Sequence, residues 1–209
     1  MVIAIVLPLL AIRTQQLLGG RRLPIPRPVF YWQTILLQVI LYALALVAAA
    51  TNLIVLNVVP RTPRALWALA LLGVALLALR VFWPTRSDQS KDRLCDLLPH
   101  DRSELMPYLL LCLVAAIAEE VAYRGVAYRL LFRLSHSIVI AVAVAAFVFA
   151  LGHMVQGWRS AAVIFVFAVG FHAVVIVGQS LLPAIVVHFA YDAIAGLVVP
   201  RWCAREGIS

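Results

Sequence analysis

The chain has 209 residues, 65% hydrophobic and only 12% charged, with a mean hydropathy of +1.02. Soluble domains carry about 25% charged residues, so a soluble globular domain is excluded and an integral membrane protein is implied. The net charge of +8 does not point to nucleic acid, because Arg21, Arg22, Arg61, Arg64, Arg86, Lys91 and Arg93 sit in short segments between apolar runs. That pattern fits topogenic charge and contact with anionic lipid headgroups.

Apolar runs of about 17–25 residues are read as membrane spans. The start, Met1 to Leu10, lacks a basic leader and a small-residue cleavage site, so it reads as part of an uncleaved first span. That weak span, Val2 to Leu18, is interrupted by Pro8 and Arg13; Gly19 to Arg22 and the prolines at 24, 26 and 28 form a stiff connector. A second span is expected from Tyr31 to Val59, a tight turn at Pro60 to Pro63, and a third span from Arg64 to Trp83. Trp83 to Glu104 reads as a solvated loop with at most an interfacial helical turn, and carries no assigned chemistry. The fourth span runs from Leu105 to Leu131, the fifth from Ser137 to His153, the sixth from Ser160 to Gln179 and the seventh from Pro183 to Val199. Pro183 suits a first helical turn, where a missing N–H is harmless. No internal repeat and no strand-like alternation is present.

The expected fold is therefore all-α, a polytopic transmembrane bundle of about seven spans, with six to eight allowed by soft ends. Residues 1–104 hold N-terminal spans and the polar loop, 105–199 the core that carries the chemistry, and 200–209 a tail. Simple alternation of the spans places Arg21, Arg22, Arg27, Arg86, Lys91, Arg93, Arg102, Arg159, Arg201 and Arg205 on one face and Arg61, Arg64, Arg129 and Arg133 on the other, and the positive-inside rule assigns the richer face, with the C-terminus, to the cytoplasm. Cys95, Cys112 and Cys203 are odd in number and lack CxxC spacing, so no disulfide framework is expected; Cys112 reads as a small buried hydrophobe.

The fourth span holds Glu119, Glu120 and Arg124 in an apolar run. Each charge at bilayer depth costs at least about 2.5–3.5 kcal/mol, which makes intramembrane ionisable groups functional candidates. Helical spacing pairs Glu120 with Arg124 and turns Glu119 about 100° away. Ala115, Ala116, Ala118 and Ala122 admit close neighbours, so the acidic pair is expected to face the bundle interior. His153 ends the fifth span one turn after Phe149, and His188 shares a face with Asp192 in the seventh. His172 stands alone in its span, and His100 and His136 fall in loops. Three helices thus supply titratable groups that can satisfy one another.

The ordered trio Glu-Glu-x-x-x-Arg, Phe-x-x-x-His and His-x-x-x-Asp resembles the motifs of the CAAX-type intramembrane endopeptidases, also called the CPBP or Abi family. It rests on Glu119, Glu120, Arg124 and Gly125, on Phe149 and His153, and on His188 and Asp192 preceded by Pro183-Ala184-Ile185; the likeness covers about Leu105 to Val199. The resemblance implies hydrolysis of a peptide bond in a membrane-associated, sometimes lipidated, protein or peptide. Glu119 with His153 would activate a water, Glu120 with Arg124 would hold the site in shape, and His188 with Asp192 would stabilise the oxyanion. Where relatives carry Asn at the last position its amide can donate, whereas an ionised Asp192 cannot; a protonated Asp192 and an Asp192 that orients His188 are both compatible.

His153, His188 and Glu119 would also make a two-histidine, one-glutamate set of the type that holds catalytic zinc. The compact signature of two histidines at i and i+4 is absent. A divalent metal is thus compatible but not obligatory, and no other cofactor is expected. Expected partners are lipid and a membrane-associated protein or peptide, not nucleic acid. Sixteen arginines against one lysine point to a prokaryotic cell membrane. Two competing readings remain: a non-proteolytic immunity or adaptor protein that keeps the fold, and an ion-coupled carrier. The carrier would show repeated halves or broken helices, and neither is visible.

Overall fold

A computed structural model of the chain describes residues 25–59, 66–83 and 88–208. The expected first span, Val2 to Leu18, the first part of the connector and the Pro60 to Pro63 turn lie outside the described residues. Among those described, every regular element is helical: α1 (Arg27–Thr51), α2 (Leu66–Phe82), α3 (Asp88–Leu97), α4 (Arg102–Glu119), a π-helical segment (Glu120–Ala127), α5 (Tyr128–Ser135), α6 (Ile138–Gly152), a 3₁₀ turn (Met154–Gln156), α7 (Trp158–Gly178) and α8 (Leu182–Arg205). Four continuous rods, 27–51, 102–135, 158–178 and 182–205, are long and apolar enough to cross a membrane; two shorter apolar helices accompany them. The architecture is a helical membrane bundle.

Local chemistry sets the ends. Pro26 and Pro28 open α1, where fixed φ and missing N–H groups are tolerated. The second span stops at Thr51 rather than Val59, because Asn52 donates its side-chain amide to the Ala48 carbonyl and Leu53 takes a left-handed φ of 52°. The chain then leaves without regular structure, and its carbonyls are satisfied from elsewhere: Arg133 donates to Asn52 at 2.6 Å, Arg129 to Val55, Leu181 N–H to Asn57 at 2.9 Å and the Ser180 hydroxyl to Val58 at 2.5 Å. Helix α4 opens on Asp101, whose carboxylate accepts from the Ser103 and Glu104 N–H groups at 2.7 and 3.1 Å. Those bonds, with that from the Ser103 hydroxyl, hold the Asp101 carboxyl below its ordinary range. Glu104 in turn accepts from His100 N–H at 2.8 Å, a variant of the reciprocal cap. Pro183 lies in the first turn of α8, as its spacing suggests, but α8 continues through Pro200 to Arg205.

The polar stretch after Trp83 departs most from its sequence reading. Instead of a solvated loop it forms α3, a ten-residue helix, with Cys95 and the following Leu98 buried. Cys95 is joined to Cys203 by a disulfide across 108 residues of sequence, which corrects the expectation of unbridged cysteines. Odd number and irregular spacing carry no information about two helices that meet only in the tertiary fold. Cys112 remains free and buried. Beside the bridge, Glu206 accepts from Trp83 Nε1 at 2.8 Å and Lys91 Nζ at 2.7 Å, contacts that hold its carboxyl below the usual range.

Disulfides persist in oxidising compartments, so the bridge predicts that this face lies outside the cytoplasm, against the charge-count assignment. Reduction or Cys203→Ser is expected to lower stability in detergent by about 2–4 kcal/mol, read by thermal unfolding. In intact cells, membrane-impermeant reductant followed by impermeant maleimide should label Cys203; labelling only after lysis would restore the cytoplasmic assignment.

Candidate active site

The expected fourth span is not one α-helix. Its hydrogen-bond ladder widens to i→i+5 at Glu120 and returns to α geometry at Tyr128. Such π segments occur disproportionately at functional sites, and this one carries Glu120 and Arg124. Gly125 permits its close approach to neighbours, since a Cβ there would meet Leu56 Cδ2 at 2.9 Å and Leu181 Cδ1 at 3.3 Å.

Glu120 and Arg124 are almost fully buried, with side-chain exposures of 0% and 1%, and Arg124 Nη1 lies 3.1 Å from Glu120 Oε1. The guanidinium sits over the Phe149 ring at 4.3 Å from α6 and the Phe171 ring at 5.3 Å from α7. Desolvated cation–π contacts of this kind contribute about 2 kcal/mol. From α8, His188 Nδ1 reaches the same Glu120 Oε1 at 2.9 Å. An ionised carboxylate only accepts, so Nδ1 carries a proton. The other ring nitrogen, Nε2, lies 3.5 Å from Asp192 Oδ2 and 3.8 Å from Glu119 Oε2. One imidazole is thus surrounded by three carboxylates from two rods.

His153 occupies the C-cap of α6. Its Nδ1 is 3.0 Å from the Phe149 carbonyl, which also only accepts, so Nε2 is left as the acceptor in the neutral ring. Phe149 and His153 rings lie 4.6 Å apart.

Two cavities adjoin these groups. One, of about 190 Å³, is bordered by Glu120, Arg124, His153, His188 and Asp192. The other, of about 250 Å³, is bordered by Glu119, His153 and Asp192 and continues past Leu94, Leu97 and Leu98 of the α3 region. His153, Gln156, Tyr191 and Asp192 border both. All seven residues singled out from the sequence are therefore gathered in one region by α4, the π segment, α6 and α8. His172 is buried but borders neither cavity, and both its ring nitrogens lack hydrogen-bond partners. His100 is spent on the Cys95 carbonyl at 2.9 Å.

Sequence reasoning missed Gln38, whose Nε2 donates to Glu119 Oε1 at 2.6 Å, and Gln156 and Tyr191 on the shared wall. A glutamine in the middle of an apolar span was a usable signal for the first. Gln156 follows His153 by three residues, outside any motif.

Among the described residues no three His, Cys, Asp or Glu groups are arranged to hold an ion. His188 Nδ1 is taken by Glu120, and its Nε2 faces two carboxylates at hydrogen-bonding to ion-pair range.

Removing one partner of a buried ion pair costs about 3–5 kcal/mol, because the other charge is left uncompensated. Arg124→Met should destabilise the protein by that amount, and adding Glu120→Gln should recover most of it. Thermal unfolding of single and double variants checks this; a single variant as stable as the parent would show that the pair does not hold the bundle.

Comparison with known families adds one finding. Residues 101–194 match the family model described as type II CAAX prenyl endopeptidase Rce1-like. No curated protein and no solved structure matches the chain. The matched segment opens on the Asp101 cap of α4 and closes two residues after Asp192, spanning the three sequence motifs. Over residues 101–194, a little under half of its length, the chain is thus similar to the Rce1-like type II CAAX prenyl endopeptidases.

Proposed function

We propose that the protein is an intramembrane endopeptidase that hydrolyses a peptide bond by a water held between Glu119 and His153. The observation that supports this best is the convergence of Glu119, His153, His188 and Asp192, from three separate rods, around two adjoining cavities inside the bundle. Amide hydrolysis needs an activated water, a stabilised oxyanion and a proton for the leaving amine. Glu119 and, through Nε2, His153 both present acceptors to the water. As its oxygen attacks the carbonyl carbon, Glu119 takes one proton. The carbonyl electrons move to oxygen, where His188, when doubly protonated, donates from Nε2. Glu119 then returns its proton to the nitrogen as the C–N bond breaks, leaving an acid and an amine.

Glu120 and Arg124 hold His188 and the π segment in place. An ionised Asp192 cannot donate to an oxyanion; its Oδ2 lies 3.5 Å from His188 Nε2, beside that donor. No step uses a metal.

The substrate class in this reading is a membrane-associated protein or peptide, and the surrounding partner is lipid. Asp192 in place of an amide donor favours one second reading: a non-proteolytic immunity or adaptor protein that keeps the fold. Against it stands the burial of several ionisable groups at bilayer depth, which partner binding alone does not need.

The test is cleavage of a panel of membrane-inserted reporter peptides by the purified protein in liposomes. Glu119→Gln and His153→Ala should each lower kcat/KM by about 10²–10⁴-fold, and a strong chelator should leave the parent rate unchanged. Retained cleavage in both variants would reject the site. Loss with chelator would reject the metal-free mechanism, and no cleavage of any peptide by the parent would favour the adaptor.

A further inference from the structure

The family match begins at residue 101, yet one of the shortest polar side-chain contacts at the site comes from α1. Gln38 Nε2 donates to Glu119 Oε1 at 2.6 Å, while Glu119 Oε2 is the oxygen near His188. The two adjacent glutamates are thus held differently. Glu120 keeps one oxygen in an ion pair with a guanidinium and accepts an imidazole N–H on the same atom. Glu119 is held by a neutral amide.

The difference has a chemical consequence. The terminal torsion of a glutamate is broad and roughly two-fold, so a carboxylate with no fixed partner samples a range of planes. A hydrogen bond to one oxygen fixes the plane and leaves the other oxygen free to take a proton. A cation in the same place would also fix it, but would weaken it as a base by favouring its charged form. An amide supplies direction without charge.

The donor is itself well supported. Tyr31, two turns before Gln38 on α1, is fully buried, donates to the Leu97 carbonyl at 3.2 Å and meets Tyr108 edge-on at 5.6 Å. Two and three turns beyond Gln38, Ala45 and Ala49 pack with Val121 and Val126 of the π segment. These contacts fix the rotation of α1 about its axis, so Gln38 arrives at Glu119 on a rigid element, as a positioning group must.

We infer that Gln38 is a positioning residue for the hydrolytic site, setting the carboxylate plane of Glu119 from a helix outside the matched family segment. The inference rests on the hydrolase reading for its kinetic consequence but not for the contact. Displacing a reacting group by about 1 Å can cost about 10²-fold in rate.

Gln38→Met keeps length and packing while deleting the donor; Gln38→Leu is the second variant should the first fold poorly. Two measurements are made on each. Infrared spectroscopy follows the Glu119 carboxylate stretch, identified by its loss in Glu119→Gln. Peptide cleavage in liposomes gives kcat and KM separately. The expected result is a displaced carboxylate band, a kcat lower by about 10–100-fold and an unchanged KM. An unmoved band overturns the contact whether or not the parent cleaves anything. A displaced band with parental kcat overturns the positioning role. A displaced band in a protein whose parent cleaves no peptide supports the contact and overturns the hydrolase reading instead.

Discussion

At the middle of the bundle, one carboxylate oxygen meets groups on two rods: Glu120 Oε1 is ion-paired with Arg124 Nη1 at 3.1 Å and accepts from His188 Nδ1 at 2.9 Å. Neither charge could be left in a low-dielectric interior alone, and each has to be brought to the other by folding. That requirement determines which helices meet. The π segment supplies the acid and the guanidinium, α8 the imidazole, and α6 and α7 the Phe149 and Phe171 rings that cover the guanidinium. The remaining acid, Glu119, lies next to this network in sequence, and its side chain borders the second cavity. The placement of Glu119 beside the cavity thus follows from satisfying Glu120.

Much of the site was legible because ionisable groups are conspicuous in a membrane span. Glu119, Glu120, Arg124, His153, His188 and Asp192 interrupt runs otherwise built of Ala, Val, Leu and Ile, and the spacing of four between Glu120 and Arg124 and between His188 and Asp192 survives as contact in both cases. The change to π geometry was not legible. A Glu-Glu-Val-Ala-Tyr-Arg run is compatible with an α-helix, and the close approach of Leu56 and Leu181 to Gly125 comes from distant segments. The end of the second span was misplaced for a similar reason. Asn52 to Val59 is apolar enough to continue a helix, but its carbonyls find better donors in Arg129, Arg133, Ser180 and Leu181. The Cys95–Cys203 bridge was hidden altogether, since it needs α3 to exist as a helix and α8 to extend past Val199.

Tertiary close approach also explains why small residues recur where they do. Gly196 lies flush with Tyr108, and an added Cβ would overlap the ring at Cε1. That proximity lets the Tyr108 hydroxyl reach the Asp192 carbonyl at 2.9 Å, so α4 grips α8 at the residue that faces His188. Ala141, Ala145, Ala146 and Ala150 line the buried side of α6 and admit its neighbours in the same way. In lipid, where hydrophobicity gives helices little reason to associate, such close packing and interhelical hydrogen bonds carry the association.

The second cavity links the covalent and the ionic features of the fold. Its wall runs from Glu119 past Leu94, Leu97 and Leu98, the part of the chain around α3 that Cys95 ties to the end of α8. Helix α3 has too few buried apolar side chains to hold itself against the bundle, and its sequence is dominated by charge. The disulfide and the Glu206 contacts with Trp83 and Lys91 supply what packing does not. Without them, the aliphatic wall of the cavity would rest on a short amphipathic helix, and short helices are marginal unless tertiary contacts hold them. The same argument makes α1 more than a membrane anchor. Its Tyr31 donates to Leu97 and meets Tyr108 edge-on, and its Gln38 reaches Glu119, so one helix joins the wall of the cavity to a carboxylate that borders it. A site whose motifs all lie within 101–194 is therefore completed by residues on both sides of that segment.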